Sequence, residues 1–537
     1  MKWSRLSCAF GALTLALILD VPRLAAQTTR ETSSAGAPQR RWRPLAVAGF
    51  EAAAGLDERD QWLPTAVEEA LAWRLRRVPG LTVVPTIRIS QSRRELAEKA
   101  DDPPTPWSRV VSLTGADFWL RGACSGTPYA AVLDLELLKA STDDGRFPTA
   151  HIGPARMLDA IDEATRWVMS EMGVSRVDEQ TEKLALGPLT KSPSALEYYA
   201  RGVRAAREDQ FRDAAHYAEQ SAISDPRFTP NLLLMAKIQM RAAGQLWRQA
   251  ELPLRQVKAI ADEQNDALTQ IDFEINEGLI MMMSRSFDAA RERFQSAVEM
   301  ARKQNDPYLE LAAMTCLCDY WTSLPVADAE KQDGAAENAG AQNLRNAVEW
   351  QTQNIDRLRE LGDYVGLAPD LNKLALIYER LDEPELALQT HQRTIEAARA
   401  IGSARTEATG HLFLGQWYKR QKRWDEALAA TQRCLELVPE ETKPKIRITL
   451  GDIYRGMKKY PEALDQYEQA EKGLANGNDL LSQFHCLRTI AELRMELGER
   501  DIAIKKLTEA IDIAHVQNLP EEDALQKVLT QWKEQKP

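Results

Sequence analysis

The sequence predicts an α-solenoid of helix–turn–helix pairs, preceded by a small α/β domain with a mixed sheet. Three observations lead to this prediction. Small residues recur at a nearly constant spacing through the carboxy-terminal two-thirds of the chain, no strand pattern remains after Ser194, and short apolar runs alternate with helical patterns before Gly173. Self-similarity at a fixed period is typical of stacked helical units, because each unit buries its apolar side against the next one.

The composition indicates a globular chain and argues against nucleic acid as a partner. The chain has 537 residues, of which 44% are hydrophobic and 27% are charged, so it is unlike disordered sequences. Its formal net charge is −11. Nucleic acids and anionic membranes are bound through basic surfaces, so we expect neither as a partner.

Residues 1–26 are predicted to be a secretory signal peptide. A basic start with Lys2 and Arg5 precedes an apolar stretch over residues 6–19, and small residues follow up to Ala26. The stretch is shorter than the roughly 20 residues that a membrane-spanning helix needs. We therefore expect a periplasmic or secreted protein with no membrane span after cleavage. The alternative is a protein anchored in the membrane by an uncleaved leader.

Residues 27–41 are predicted to be a flexible tether and residues 42–173 an α/β domain. The tether is rich in Thr, Ser, Ala and Gly and has no apolar periodicity. Strands are expected at Pro44–Phe50, Leu81–Ile87, Ala116–Cys124 and Ala130–Leu138, with another after the Asp143-Asp144-Gly145 turn. Helices are expected over Trp62–Val78, Ser90–Ala100 and Met157–Met172. This order of elements implies one small α/β sandwich.

Residues 194–519 are predicted to form about eight helical pairs. One small residue per pair marks the point where the second helix approaches the first: Ala214, Ala250, Ala290, Ala347, Ala387, Ala427, Ala463 and Ala503. Their separations are 36, 40, 57, 40, 40, 36 and 40 residues, and a low-complexity insertion at 326–342 explains the longest. Residues 174–193 are expected to be a linker, and residues 520–537 a capping helix or tail.

The repeats share a further pattern of aromatic and small residues. One repeat carries Leu414, Gly415, Tyr418, Trp424, Ala427 and Pro439, and the next carries Leu450, Gly451, Tyr454, Tyr460, Ala463, Tyr467 and Ala470. Small residues let antiparallel helices close up, aromatic rings fill the wedge between pairs, and proline ends the second helix. Residues 194–519 therefore resemble the tetratricopeptide repeat (TPR) family. Their long period resembles that of larger TPR sensors and scaffolds.

The α/β domain carries a second, less specific resemblance. It depends on the layout of turns around three stretches, Arg43–Phe50, Pro79–Val84 and Gly115–Gly122. This layout resembles the TolB-like amino-terminal module that often precedes TPRs in bacterial proteins. The resemblance implies a fold and a bacterial envelope or regulatory setting, without a defined activity.

The sequence contains no motif of a known catalytic or metal site, so we predict no catalytic residue, metal or cofactor. A phosphate-binding loop, H-E-x-x-H and G-x-G-x-x-G are all absent. The stretch Gly122–Gly126 is similar to a nucleophile elbow, but its serine is one position late. No C-x-x-C or Cys/His ligand spacing occurs. A disulfide between Cys434 and Cys486 is neither required nor excluded.

The better candidate site is the inner surface of the predicted solenoid. In TPR arrays the first helix of each pair lines a concave surface, and alignment of the repeats places seven polar residues there: Asn372, Arg380, Gln416, Lys419, Arg420, Arg455 and Arg488. A basic strip of this kind is able to hold the carboxylates of a peptide. Four neighbouring inward positions are acidic and offer the alternative of a neutralised surface: Glu379, Asp452, Glu492 and Glu496. The Lys/Asn set of TPRs that hold chaperone tails is absent, so that partner is not expected.

These observations favour an exported, non-enzymatic TPR scaffold or adaptor that binds a protein or peptide partner of the envelope in its concave groove. The alternative is a regulatory protein whose repeats or α/β domain bind a small molecule. An enzyme with an unfamiliar site in the α/β domain is a third hypothesis.

Overall fold

The computed structural model describes residues 43–96, 106–140, 148–174, 176–241, 246–324, 335–475, 479–517 and 519–534. The predicted signal peptide and tether lie outside these residues, as do the Asp143-Asp144-Gly145 turn and the first part of the predicted insertion. None of the described helices combines the length and the apolar character needed to cross a bilayer.

The amino-terminal domain is built on a five-stranded mixed sheet in the order β2-β1-β3-β4-β5. The strands are β1 (Pro44–Ala52), β2 (Thr82–Val83), β3 (Phe118–Thr127), β4 (Ala130–Lys139) and β5 (Thr149–Ala155). Strand β1 runs parallel to β2 and β3, while β4 is antiparallel to β3 and β5. Side chains alternate along β4, so Leu133, Leu135 and Leu137 are buried together on one face.

Five α-helices accompany this sheet in the described part of the domain. The domain contains α1 (Leu63–Leu75), α2 (Thr86–Glu95), α3 (Trp107–Leu113), α4 (Met157–Glu171) and α5 (Glu179–Ala185). Helices α1 and α4 pack on the face that carries Leu133, and Leu71 and Ile161 join its core. The same core includes Leu196 and Tyr199 of the first solenoid helix. The domain and the solenoid are therefore joined by continuous apolar packing.

In the described part of the chain, sixteen further helices form eight pairs and one more helix ends the solenoid. The pairs are α6 (Pro193–Arg207) and α7 (Phe211–Ser224), α8 (Thr229–Arg241) and α9 (Glu251–Gln264), α10 (Ala267–Met283) and α11 (Phe287–Gln304), α12 (Pro307–Ser323) and α13 (Ala335–Leu361), α14 (Tyr364–Arg380) and α15 (Pro384–Ile401), α16 (Ala404–Arg420) and α17 (Trp424–Leu437), α18 (Lys443–Gly456) and α19 (Tyr460–Leu474), and α20 (Leu480–Glu496) and α21 (Arg500–Val516). Helix α22 (Glu522–Glu534) follows. The predicted fold class, an α-solenoid behind a small mixed α/β domain, is confirmed.

Small residues hold the two helices of each pair together. All eight alanines that define the predicted period are fully buried. Glycines on the first helices complete the contact: a Cβ on Gly451 would lie 2.4 Å from the Tyr467 ring, and one on Gly278 would lie 2.5 Å from the Phe294 ring. Glycine carries only a hydrogen atom where other residues carry a Cβ. The aromatic side chains of the second helices therefore occupy the space that a larger residue at the glycine position would fill.

The structure differs from the prediction at three places, two at the α/β domain and its linker and one in the solenoid. The strand expected over Leu81–Ile87 ends at Val83, because Pro85 offers no N–H to the sheet and instead precedes the first turn of α2. Helices α3 and α5 were not predicted, and α5 lies inside the predicted linker, where Ala185 joins the core. Helix α13 begins at Ala335, within the predicted insertion at 326–342.

Candidate functional site

The first helix of each pair faces the inner side of the solenoid. First helices of successive pairs contact one another directly, as seen for α8 with α10, α10 with α12, and α16 with α18, and these contacts are more extensive than those between second helices. A stack whose elements are closer together on one side curves toward that side. The first helices therefore line the inner curve.

All seven residues of the predicted binding strip lie on first helices. Helix α14 carries Asn372 and Arg380, α16 carries Gln416, Lys419 and Arg420, α18 carries Arg455, and α20 carries Arg488. Arg420 is exposed at the carboxy-terminal end of its helix, and Gln416 is half-buried one turn before it. That these residues bind a partner remains a prediction, and the geometry shows what they contact within the chain.

Four of the five cations in this strip form ion pairs with carboxylates on first helices. Lys419, Arg420 and Arg455 reach a neighbouring helix, and Arg488 pairs within its own helix. The Lys419 Nζ lies 2.8 Å from the Asp452 Oδ2, and the Arg455 Nη1 lies 3.3 Å from the Glu492 Oε2. Three further pairs join the series: Arg420 with Glu379, Arg455 with Glu496, and Arg488 with Glu492. We call these eight residues the charge ladder. The charge ladder connects helical pairs five to eight. Because of it, the inner surface carries alternating positive and negative charges and is not a purely basic strip.

The remaining members of the predicted strip are held on α14. The Arg380 Nη1 donates to the Thr322 carbonyl oxygen at 2.9 Å, which connects α14 to α12. On the same helix, the Lys373 Nζ lies 2.5 Å from an Asp319 carboxylate oxygen. The buried Asn372 Oδ1 accepts no hydrogen bond from any described residue.

A buried histidine positions one end of the charge ladder. His391 on α15 is fully buried, and its Nε2 lies 2.7 Å from the Glu379 Oε1. The other carboxylate oxygen of Glu379 accepts from Arg420. Glu379 is thereby fixed between the second helix of its own pair and the first helix of the next pair.

The pairs of the ladder are charged and only partly shielded from water. Burial alone would lower the pKa of Arg455, but the hydrogen bonds to Glu496 and Glu492 outweigh burial and raise this pKa above its ordinary value. The Arg455 side chain is 28% exposed and that of Glu496 is 50% exposed. Ion pairs with this exposure stabilise a protein by only about 0–1 kcal/mol, because water competes for both charges.

Two clefts lie along the charge ladder. The Trp417 cleft is lined by Glu379, Arg380, Trp417 and Arg420, with a volume of about 260 Å³. The Trp532 cleft has a volume of about 350 Å³, and Arg455, Met495, Glu496 and Trp532 line it. Trp532 was not among the predicted site residues. The signal was present, since apolar residues recur at helical spacing in the predicted tail: Leu525, Val528, Leu529 and Trp532.

The comparisons with known proteins agree with the repeat architecture. Residues 406–476 match the Tetratricopeptide repeat family. This segment runs from α16 to the end of α19 and contains the centre of the charge ladder. No curated protein matches the chain in sequence.

Several solved structures are similar to this chain. One is a signal transduction ATPase with numerous domains and a tetratricopeptide repeat sensor from Pyrococcus horikoshii, with 15% identity and a TM-score of 0.44 over 67% of this chain and 57% of that chain. Another is NprR in complex with its cognate peptide NprX, with 17% identity and a TM-score of 0.31 over 52% of this chain and 79% of that chain. A Rap protein complexed with Competence and Sporulation Factor has 12% identity and a TM-score of 0.36 over 64% of this chain and 98% of that chain. At these identities and TM-scores the likeness assigns no function.

The α/β domain is bound along the edge of the solenoid where first helices begin. The residues that cap α10, α12, α14 and α16 form what we call the N-cap row: Asp266, Asp306, Asp363 and Ser403. Arg77 donates to Asp266 from its Nε at 2.9 Å and its Nη2 at 2.7 Å. The Arg76 Nε donates to Asp306 at 3.0 Å, Arg88 pairs with Asp363, and the Ser403 hydroxyl donates to the Glu95 carbonyl oxygen at 2.9 Å. The domain thus spans four successive repeats.

The N-cap row and the charge ladder occupy opposite ends of the first helices. On α14, for example, Asp363 precedes the first residue while Glu379 is the residue before the last. The α/β domain therefore binds one edge of the solenoid through pairs three to six. The charge ladder lies toward the other edge.

The described cysteines and acidic residues offer no further site. Cys124, Cys316, Cys318, Cys434 and Cys486 are unpaired, so Cys434 and Cys486 form no disulfide here. Burial raises the pKa of each of these thiols to about 12. Over the described ranges, no group of three His, Cys, Asp or Glu side chains is arranged to hold a metal ion.

Proposed function

We propose that this protein is an exported, non-enzymatic TPR scaffold that binds an envelope-associated protein or peptide partner through the charge ladder and its two clefts. The observation that supports this proposal is the combination of half-exposed ion pairs with a tryptophan in each cleft. Aromatic and arginine side chains are the residues that most often dominate binding energy at protein interfaces. The charged groups between them set the register of a bound peptide.

The ion pairs of the ladder favour exchange with a ligand. Because the pair between Arg455 and Glu496 stabilises the free protein by only about 0–1 kcal/mol, a peptide carboxylate is able to replace Glu496 at little cost. Glu379 is 12% exposed and is held by His391, so a peptide carboxylate would join it at the half-exposed Arg420 instead of replacing it. We therefore expect an extended peptide with acidic side chains that reach Arg420 and Arg455, and with apolar side chains that enter the clefts.

The export proposal depends on the sequence. The basic and apolar pattern of residues 1–26 supports a signal peptide, and the TolB-like layout of the α/β domain supports a bacterial envelope setting. Cell fractionation followed by intact-mass measurement tests this proposal. We expect the mature chain to begin near Gln27 and to occur outside the cytoplasm. A full-length chain in the cytoplasmic fraction contradicts export, and a full-length chain in the membrane fraction favours the anchored alternative.

A peptide-display selection against the full chain tests the binding proposal. Peptides that are retained are measured by fluorescence polarisation against Arg420→Glu and Arg455→Glu, which we expect to weaken binding by at least tenfold. The matched control is Arg433→Glu, which reverses a partly exposed arginine on the second helix α17. Equal loss in the control and in the ladder variants contradicts a site on the first helices.

A ligand-sensing regulatory protein is the second candidate function. A basic cavity between the α/β domain and the first three helical pairs favours it, because that position would couple the two parts of the chain to one small molecule. A screen of sugars, nucleotides and peptidoglycan fragments for thermal stabilisation separates this function from peptide binding.

A further inference from the structure

A cavity with a basic lining lies where the α/β domain, the predicted linker and the first three helical pairs meet. Its volume is about 300 Å³, and we call it the junction cavity. Five cationic side chains line it: Arg74, Arg77, Lys183, Lys191 and Arg227. Two carboxylates line it as well: Asp225 and Asp266. The local excess of positive charge is opposite in sign to the net charge of −11 of the whole chain.

Both carboxylates of the cavity are already engaged. Asp266 accepts two hydrogen bonds from Arg77 and one from the Thr269 hydroxyl at 2.7 Å. Asp225 accepts from the Thr190 hydroxyl at 2.6 Å and from the Arg227 backbone N–H at 3.0 Å. Neither carboxylate is therefore directed at the lysines of the cavity.

Three cations remain accessible to a ligand. Lys183 on α5 and Lys191 before α6 are exposed. Lys183 is attracted to Glu263, the carboxylate that pairs with Arg227, without a direct contact between them. The Arg227 Nη2 lies 2.6 Å from Glu263, in a pair whose side chains are 61% and 64% exposed. A pair with that exposure gives up its partner at little cost.

The buried wall of the cavity has an unused hydrogen-bond donor. Arg74 is 1% exposed; it pairs with Asp162 through Nη1, and its Nη2 donates to the Gly187 carbonyl oxygen at 3.2 Å. Its Nε donates to no described residue. Arg74 therefore adds positive charge behind the exposed lysines, while its Nε is too deeply buried to contact a ligand directly.

We propose that the junction cavity binds a small molecule that carries two or more negative charges on phosphate or carboxylate oxygens. The cavity volume is at the lower end of the range for small-molecule sites, which favours a compact ligand over a dinucleotide or a peptide. Lysine binds phosphate and carboxylate oxygens as a point charge, and arginine adds directed N–H donors. This proposal goes beyond peptide binding and does not depend on it, since the junction cavity and the charge ladder share no residue.

Calorimetric titration of the full chain with pyrophosphate and with citrate tests the proposal, at an ionic strength kept constant with sodium chloride. We expect at least one of the two anions to bind and to raise the melting temperature beyond the effect of sodium chloride. Comparison of the two probes separates phosphate from carboxylate recognition. The double variant Lys183→Gln and Lys191→Gln should weaken the apparent Kd by at least tenfold.

A matched double variant controls for diffuse charge effects. Lys237→Gln and Lys303→Gln remove two exposed lysines that do not line the cavity, and we expect less than a twofold change. If the first double variant is misfolded by circular dichroism, Arg227→Gln replaces it, with an expected loss of several-fold. The proposal is overturned if neither anion binds more strongly than chloride, or if the cavity variants and the control variants weaken binding equally.

Discussion

Replacing Asp266 with asparagine should loosen the contact between the α/β domain and the solenoid. Asp266 is 4% exposed and caps α10 by accepting from the Thr269 amide at 3.2 Å. Asparagine is as good an N-cap residue as aspartate, so the helix start is kept. The substitution therefore removes the charge that faces Arg77 and little else.

The size of the destabilisation expected for Asp266→Asn follows from the burial of Arg77. Its side chain is 3% exposed, its Nη1 donates to the Trp73 carbonyl oxygen at 2.8 Å, and its guanidinium lies 3.9 Å from the Trp73 ring centre. Arg77 is thus held in place after the carboxylate is gone. Removing one partner of a buried ion pair costs about 3–5 kcal/mol, because the other charge stays buried and unpaired. Because the Thr269 hydroxyl remains beside Arg77, we expect the destabilisation to be at the lower end of this range, about 3 kcal/mol. This free energy corresponds to a change of about 150-fold in the equilibrium between the closed and the locally opened states.

Hydrogen exchange of the full chain measures this opening. We expect amides at the end of α1 and in the first turn of α10 to lose about two orders of magnitude of protection at neutral pH. The matched control is Asp178→Asn, because Asp178 caps α5 through the Thr181 amide at 2.6 Å and no described cation pairs with it. If Asp266→Asn lowers protection no more than the control does, the buried pair does not hold the domain in place.

The loss of stability caused by Asp266→Asn should also depend on pH. Burial alone would raise the pKa of Asp266, but Arg77 and Thr269 outweigh burial, so this pKa lies below its ordinary value. A carboxylate whose pKa is lower in the folded state contributes stability that is present above its unfolded pKa of about 3.9 and is lost as the pH falls through the folded value. The difference between the wild type and Asp266→Asn should therefore shrink below about pH 4.

Three other outcomes are expected. In urea unfolding, Gly451→Ala should destabilise the protein by about 1–3 kcal/mol because its Cβ meets the Tyr467 ring at 2.4 Å, whereas Gly202→Ala, whose nearest contact is 3.3 Å away, should cost less. The five described cysteines should react with a thiol reagent only after unfolding, since burial raises each thiol pKa to about 12, and rapid reaction of the native protein contradicts this. Leu529→Asp should release α22 and allow limited proteolysis near residue 519, because Leu529 is 6% exposed against α21.

Most of the solenoid could be predicted because its packing is encoded locally. An alanine such as Ala427 is needed wherever two helices of one pair approach, so its spacing repeats along the chain. The N-cap row follows the same spacing, with 40 residues between Asp266 and Asp306 and 57 between Asp306 and Asp363. Its partners were not predictable, since Arg77 lies 189 residues before Asp266 and no local pattern connects two such distant segments.

The candidate site was predictable in part for a related reason. The repeat alignment located Arg420 and Arg455 on first helices, but which carboxylate each one meets depends on the distance between neighbouring pairs. That distance is a tertiary property, and it places Glu379 against Arg420. Similarly, the β-branched residues Thr86 and Ile87 favour a strand, and Pro85 overrides that preference by starting α2.

The two sets of contacts imply that the solenoid is not equally stiff along its length. Repeats that contact only their neighbours are able to open independently. In helical pairs three to six, opening would also break contacts of the N-cap row, including the buried ion pair between Arg77 and Asp266. Beyond helical pair six, the first helices are connected instead by partly exposed ion pairs such as Arg455 with Glu492. We therefore expect the spacing of first helices to adjust to a bound peptide in pairs six to eight, around the Trp532 cleft, while the earlier pairs keep their curvature.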